Sequence, residues 1–329
     1  MLIDFIFIIL GVWMVLWGAD RLTEAAASLA RRMNISEMVI GLTIVAAGTS
    51  APELFVSVVS ALNGTSDLAV GNVVGSNIMN TLVIVGATAL VAPIAISRST
   101  VRKDIPFTAG ATVLLSVLCL DGFASLSLSG SIISRVDGII LLIAFAAFMA
   151  YTLKASPGPA SPGPSEGGER GERGAKGPVQ MSVLKALSFV VIGLAGLVVG
   201  SNVFVGHASA VATGLGVSES VIGLTIVAGG TSLPELATSV VAAKKGQSAM
   251  AIGNVIGSNV FNILMILGLT ATICPMQIEG ITLIDMAMML VSVALLWLFS
   301  FTKLKVERWE GAVLTVVYAA YLAWLLYNI

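Results

Sequence analysis

The chain is poor in charge. Of its 329 residues only 11% are Asp, Glu, Lys or Arg, and the net charge of −1 points to no charged partner. A soluble domain carries roughly a quarter of its residues as charges, so a soluble globular fold is excluded. Histidine is almost absent, with only His207. Nucleophilic catalysis needs a base beside its nucleophile, and neither H-E-x-x-H nor G-x-S-x-G occurs. An intramembrane hydrolase is therefore the remote alternative, and no enzyme is expected. The two cysteines, Cys119 and Cys274, lack metal-ligand spacing and read as inert thiols. The first ten residues, MLIDFIFIIL, have no basic segment and carry Asp4. They read as a retained span and not as a cleaved secretory signal.

What the chain does have is apolar length. Apolar residues make up 57% of it, and its mean hydropathy is +1.00. A spanning helix needs about 20 mostly apolar residues. Ten such runs are expected, near 3–30, 36–62, 67–92, 104–122, 134–153, 183–212, 218–243, 248–273, 280–301 and 309–327. The runs are continuous, without the alternation of a membrane β-barrel. The expected fold is thus an all-α polytopic membrane protein of ten transmembrane helices. Residues 155–180, rich in Pro, Gly and charge, read as a disordered linker between two five-helix halves, 1–154 and 181–329.

Loop charge predicts orientation. Of the 17 basic residues, 15 lie in the connections after spans 1, 3, 5, 7 and 9. Excess Lys and Arg mark the cytoplasmic side. Both termini are therefore expected outside the cell membrane and the linker inside.

Within the two halves one block occurs twice. Ser36–Leu54 reads SEMVIGLTIVAAGTSAPEL and Ser218–Leu236 reads SESVIGLTIVAGGTSLPEL, identical at 16 of 19 positions. The same 182-residue offset aligns GNVVGSNIMN at Gly71–Asn80 with GNVIGSNVFN at Gly253–Asn262. The repeats thus cover 36–80 and 218–262. Five spans per half invert the second copy relative to the first. Inverted repeats of this kind place transporter sites at the bilayer midplane, on broken helices.

The shared residues are polar. Pro52 and Pro234 lack an N–H, so the carbonyls of Gly48 and Gly230 lose their helical partners and the helix breaks there. Thr49 and Glu53 share a helix face, as do Thr231 and Glu235. A carboxylate inside a membrane is costly and marks a site. Each copy also supplies a polar stripe four residues apart, Asn72, Ser76 and Asn80, or Asn254, Ser258 and Asn262. Asn72 and Asn254 are divided between a site role and interhelical glue. Gly71 with Gly75, and Gly253 with Gly257, allow close helix approach. These hard oxygen donors suit Ca²⁺, Na⁺ or Mg²⁺. Two adjacent carboxylates need compensating charge. One divalent ion or several monovalent ions supply it, and mutually exclusive occupancy is what exchange requires.

These motifs resemble the cation/Ca²⁺ antiporter superfamily, specifically its prokaryotic Na⁺/Ca²⁺ exchanger branch, whose two repeats carry GTSxPE and GNxxGSNxxN/D. The resemblance implies an antiporter working by alternating access, electrogenic with about three Na⁺ per Ca²⁺, functional as a monomer and without a cofactor. It implies that Glu53 and Glu235 bridge Ca²⁺ with the carbonyls of Thr49 and Thr231. Ser76 with Ala46 and Thr49 would hold one Na⁺, and Ser258 with Ala228 and Thr231 its counterpart. Asn80 and Asn262 would flank the middle, with Ser50 and Ser232 as auxiliary ligands. Members of this branch often carry Asp where this chain has Asn262, so their pH sensitivity does not transfer. GNxxGSN in place of GNxxE favours Na⁺ over H⁺ as the coupling ion. H⁺/Ca²⁺ and K⁺-dependent Na⁺/Ca²⁺ exchange are the alternatives, and a passive cation channel would lack countertransport. Spans 1 and 6 are expected to slide on the rest, with Gly11, Gly18, Gly193, Gly196 and Gly200 giving a smooth surface.

Other polar residues have local readings. Arg21 and Glu24 form an i,i+3 pair near Asp20. His207 reads as satisfied or solvated. Asp104, Asp137, Asp285 and Glu310 sit at span ends, where interfacial water is expected to suffice.

Overall fold

The computed structural model describes residues 2–120, 131–154, 181–216, 228–278 and 280–327. The linker 155–180 and the first part of the second repeat, 218–227, lie outside the described residues. Long apolar helices dominate. They are α1 (Leu2–Met33), the bent pair α2 (Glu37–Thr49) and α3 (Ala51–Leu62), α4 (Ser66–Val91), α5 (Ile105–Leu118) and α6 (Arg135–Lys154). The second half contributes α7 (Val183–Gly214), the short α8 (Ala228–Thr231), α9 (Leu233–Lys244), α10 (Ser248–Ile273), α11 (Leu283–Phe301) and α12 (Arg308–Tyr327).

Seven of these are long and apolar enough to cross a membrane, and the α2/α3 pair, bent by 46°, makes an eighth. The other two expected spans are shorter among the described residues. One is α5 with the π-helical turn Thr100–Asp104 before it. The other is α8 with α9.

The helices divide into centre and periphery. In the most apolar stretch of α10, 94% of residues are buried, against 22% in α1, α6 and α12. The polar stripe on α10 therefore faces protein and not lipid. Aliphatic side chains from both halves share one core, among them Leu82, Val85, Ile105, Leu141, Ile263 and Leu267.

The two longest helices, α1 and α7, lie against each other. A Cβ on Gly18 would sit 2.6 Å from the Gly193 carbonyl oxygen, and one on Gly11 2.8 Å from that of Gly200. Only glycine permits this approach. Gly196 likewise lies against Gly18 and Met14, so the expectation of a smooth sliding surface is corrected for all five glycines. They knit α1 to α7 and do not face the remaining helices. At one end His207 Nδ1 lies 3.0 Å from Asp4 Oδ1 and its ring stacks on Phe7, so the histidine is satisfied by α1. Further along, Arg21 bonds Glu24 at 3.1 Å, as expected. Lys245, just after α9, reaches the Asp20 carboxylate at 2.6 Å and the Thr23 hydroxyl at 3.1 Å.

Two short antiparallel ribbons tie the halves together, Ile94–Ala95 with Lys305–Val306 and Ile132–Ile133 with Met276–Gln277. Each joins a connection of one half to a connection of the other. Three of the acids assigned to interfacial water are instead satisfied by protein. Asp285 caps α11 through Thr282 and accepts the Tyr321 hydroxyl at 2.5 Å. Glu310, 1% exposed, accepts from the Thr302 hydroxyl at 2.6 Å and the Glu307 amide at 2.7 Å. Asp137 accepts from the Ser134 amide and hydroxyl. The cause is common: a helix start leaves unpaired N–H groups, and a carboxylate in the first turn meets that need.

Candidate ion-binding site

Both prolines sit where the sequence places them, in the first turn of a helix that restarts after a break. The break falls at Ser50 (φ −83°, ψ 7°) before α3, and at Ser232 (φ −90°, ψ 6°) before α9. Proline is tolerated there because first-turn N–H groups have no helical partner. The consequence is geometric. Glu53 and Glu235 each stand in the first turn of a new helix, while α2 and α8 end just before them. Both glutamates are completely enclosed, at 1% and 0% exposure.

The two copies reach across to each other. Ser50 donates to Glu235 Oε1 at 3.0 Å, and Ser232 donates to Glu53 Oε1 at 3.4 Å. Ser258 adds a second donor to Glu235 Oε1 at 3.4 Å. The serine of each copy thus holds the carboxylate of the other. In both glutamates Oε2 is buried with no hydrogen-bond partner among the described residues. A buried, unpaired carboxylate oxygen is expensive, and a cation is the natural complement.

The helices behind the glutamates are pinned in matching ways. Asn72 Nδ2 donates to the Glu53 carbonyl at 3.1 Å and to Ser57 at 3.0 Å. At the 182-residue offset, Asn254 Nδ2 donates to the Glu235 carbonyl at 3.4 Å and to Ser239 at 3.1 Å. Asn72 and Asn254 therefore tie the polar helices to the glutamate helices. Ser57 and Ser239 complete these ties, and the sequence analysis did not single them out. Their recurrence at the repeat offset is the signal that could have found them.

Thr49 bonds Asn254 Oδ1 at 3.2 Å and lies 3.5 Å from the Ser258 hydroxyl. Ala46 is buried where α2 crosses α10, beside Gly257. Among the described contacts Ser258 stands with Thr49, across the repeats, and its neighbour Gly257 meets Ala46. In the same sense α8, which holds Ala228 and Thr231, packs against α4, where Ser76 is buried. The reason lies in the packing. Gly253 and Gly257 let the backbone of α2 approach α10 to within van der Waals contact, so each broken helix lies on the polar helix of the opposite half. Asn80 and Asn262 are buried in π-helical turns, Asn80–Ile84 and Phe261–Ile266. Such turns are rare and gather at functional sites.

α7 covers both breaks. Leu194 lies against Gly48 and Val205 against Gly230. Ser201 donates a hydrogen bond to the Gly230 carbonyl, the one that Pro234 deprives of a helical partner. Among the described residues no three His, Cys, Asp or Glu side chains cluster. The charge available at this site is therefore that of two carboxylates, and its other donors are neutral oxygens.

This fold and donor set are those of an ion exchanger. The family model described as sodium/calcium exchanger protein matches residues 3–154 and 185–327. A putative antiporter, CaxA of Alkalimonas amylolytica, is 40% identical over 98% of this chain and 98% of its own length. The sodium/calcium exchanger MaX1 of Methanosarcina acetivorans is 32% identical over 99% of both. Among solved structures, the sodium-calcium exchanger NCX_Mj soaked with 2.5 mM Na⁺ and 0.1 mM Ca²⁺ superposes with a TM-score of 0.80. It is 31% identical and is covered over 98% of each chain. The chain belongs to the sodium/calcium exchanger family. It is a multi-pass membrane transporter and not an enzyme.

Proposed function

We propose that this protein exchanges Na⁺ for Ca²⁺ across the cell membrane at one central site shared by its two halves. Ten spans, arranged as two inverted five-helix repeats, frame that site. Glu53 and Glu235 are its two acidic walls. Thr49, Thr231, Ser50, Ser232, Ser76, Ser258, Asn80, Asn262 and the carbonyls of Ala46 and Ala228 supply neutral oxygens. The observation that carries this reading is the pair of buried, unpartnered Oε2 atoms on glutamates held crosswise by Ser50 and Ser232. Two carboxylates are neutralised by one Ca²⁺ or by several Na⁺, so the two loads exclude each other.

With about three Na⁺ entering for each Ca²⁺ leaving, the cycle moves net charge. Access alternates as the α1/α7 pair moves over the two helix breaks. Both termini lie outside and residues 155–180 in the cytoplasm, a reading that the positive-inside distribution of Lys and Arg supports. The site is complete in one chain, so a monomer suffices. The test is ⁴⁵Ca²⁺ uptake into proteoliposomes. An outward Na⁺ gradient should drive uptake, and a negative interior should slow that uptake and speed its reversal, because the uptake cycle carries net positive charge outward. Uptake driven by a pH gradient without Na⁺ would replace this reading with H⁺/Ca²⁺ exchange.

A further inference from the structure

Asn80 and Asn262 occupy matching positions in the two repeats, yet their surroundings differ. The side-chain amide of Asn80 donates to Asn259 Oδ1 at 3.2 Å. The amide of Asn259 donates to the Thr81 hydroxyl at 2.8 Å, and that hydroxyl donates to the Asn77 carbonyl at 3.0 Å. Asn77, Asn80, Thr81 and Asn259 are each at most 2% exposed.

The direction of this chain is fixed from one end. A backbone carbonyl only accepts, so the Thr81 hydroxyl spends its proton on Asn77. Its oxygen then accepts, which requires the NH₂ end of Asn259 to face it. The carbonyl end of Asn259 consequently faces Asn80 and requires NH₂ there. One orientation of each carboxamide satisfies all three bonds. Asn80 Oδ1 is left buried and without a partner.

Among the described residues the second repeat has no such chain. At the 182-residue offset Thr81 becomes Ile263, which has no hydroxyl. Asn77, the counterpart of Asn259, turns back to the Val73 carbonyl at 2.7 Å. Both polar atoms of Asn262 are buried without a partner. Its carboxamide can present either end.

We propose that Thr81 and Asn259 are positioning residues that lock the Asn80 carboxamide with its oxygen committed to a cation, while Asn262 is left unlocked. The assignment rests on the exchange site proposed above. A locked oxygen is a preorganised hard donor, and groups that orient a metal ligand typically contribute 10–100-fold to affinity. The two halves of the site then differ in function although their motifs match: one neutral side-chain ligand is fixed and its counterpart adapts to the ion bound.

The experiment compares Thr81→Val, Thr81→Ser and Glu53→Gln in the full-length purified protein. Ca²⁺ affinity is read by calorimetry, and ⁴⁵Ca²⁺ exchange gives the half-saturating concentration and maximal rate. Thr81→Val should raise the Ca²⁺ dissociation constant by roughly tenfold or more and raise the half-saturating Ca²⁺ more than it lowers the maximal rate, with a lower melting temperature from the Asn259 amide left unpaired. Thr81→Ser should restore affinity, and Ile263→Val should be silent. Should the valine variant not fold, Thr81→Ala carries the same expectation. Unchanged Ca²⁺ affinity in Thr81→Val, alongside lost binding in Glu53→Gln, overturns the locking role and leaves the site intact. Unchanged binding in Glu53→Gln overturns the site itself.

Discussion

At the residue scale, the proposed reading makes the two glutamates what defines the ions the protein carries. Each is enclosed, each has one bonded and one unpartnered oxygen, and each is held by a serine from the other repeat. Glu53→Gln or Glu235→Gln should therefore abolish ⁴⁵Ca²⁺ exchange in a protein that still folds, since glutamine is close in shape but removes the charge. Ser50→Ala and Ser232→Ala should weaken Ca²⁺ by roughly tenfold each, through loss of a group that orients a ligand. The two effects should be similar in size, because the contacts are reciprocal. Retained wild-type affinity in both would remove the serines from the site. The two buried glutamates and the serines that hold them were candidates from the sequence, because chemistry-bearing residues recur there at one offset inside apolar runs. Their grouping was not legible there. Sequence spacing places Thr49 near its own repeat's serine, whereas helix crossing places it beside Ser258.

At the element scale, the proposed reading makes the break in each glutamate helix the working feature. Pro52→Ala returns an N–H that can pair with the Gly48 carbonyl and continue α2 into α3. Hydrogen-exchange protection should rise across residues 48–56, and transport should fall as the break closes. Protection unchanged from wild type would show that the bend is imposed by packing and not by proline. The α1/α7 seam gives a second element-scale expectation. In Gly193→Val the added Cβ meets the Gly18 carbonyl oxygen at 2.9 Å. Overpacking of this kind costs about 1–3 kcal/mol, so the melting temperature in detergent should drop by several degrees. A melting temperature equal to wild type would show that α1 and α7 separate freely. Helices and prolines were readable from the sequence because apolar length and missing N–H groups act locally. The inter-half ribbons and one buried acid contact were not, because each joins residues distant in the chain. Asp285 meeting Tyr321 is one instance.

At the scale of the whole molecule, the proposed reading has the duplicated blocks of two halves make one site with unequal sides. The central helices carry the oxygens, and α1 with α7 covers the breaks as a glycine-sealed pair. Membrane class and exchanger chemistry were legible from apolar content and duplicated motifs. The asymmetry was not, since it arises where the copies diverge, at Thr81 against Ile263. The central claim is that one site takes Ca²⁺ or Na⁺ but never both. Equilibrium ⁴⁵Ca²⁺ binding to the purified protein, titrated with Na⁺, tests it most directly. The account predicts a single bound Ca²⁺ per chain, displaced completely and cooperatively by Na⁺. Ca²⁺ binding that persists at saturating Na⁺ would contradict it.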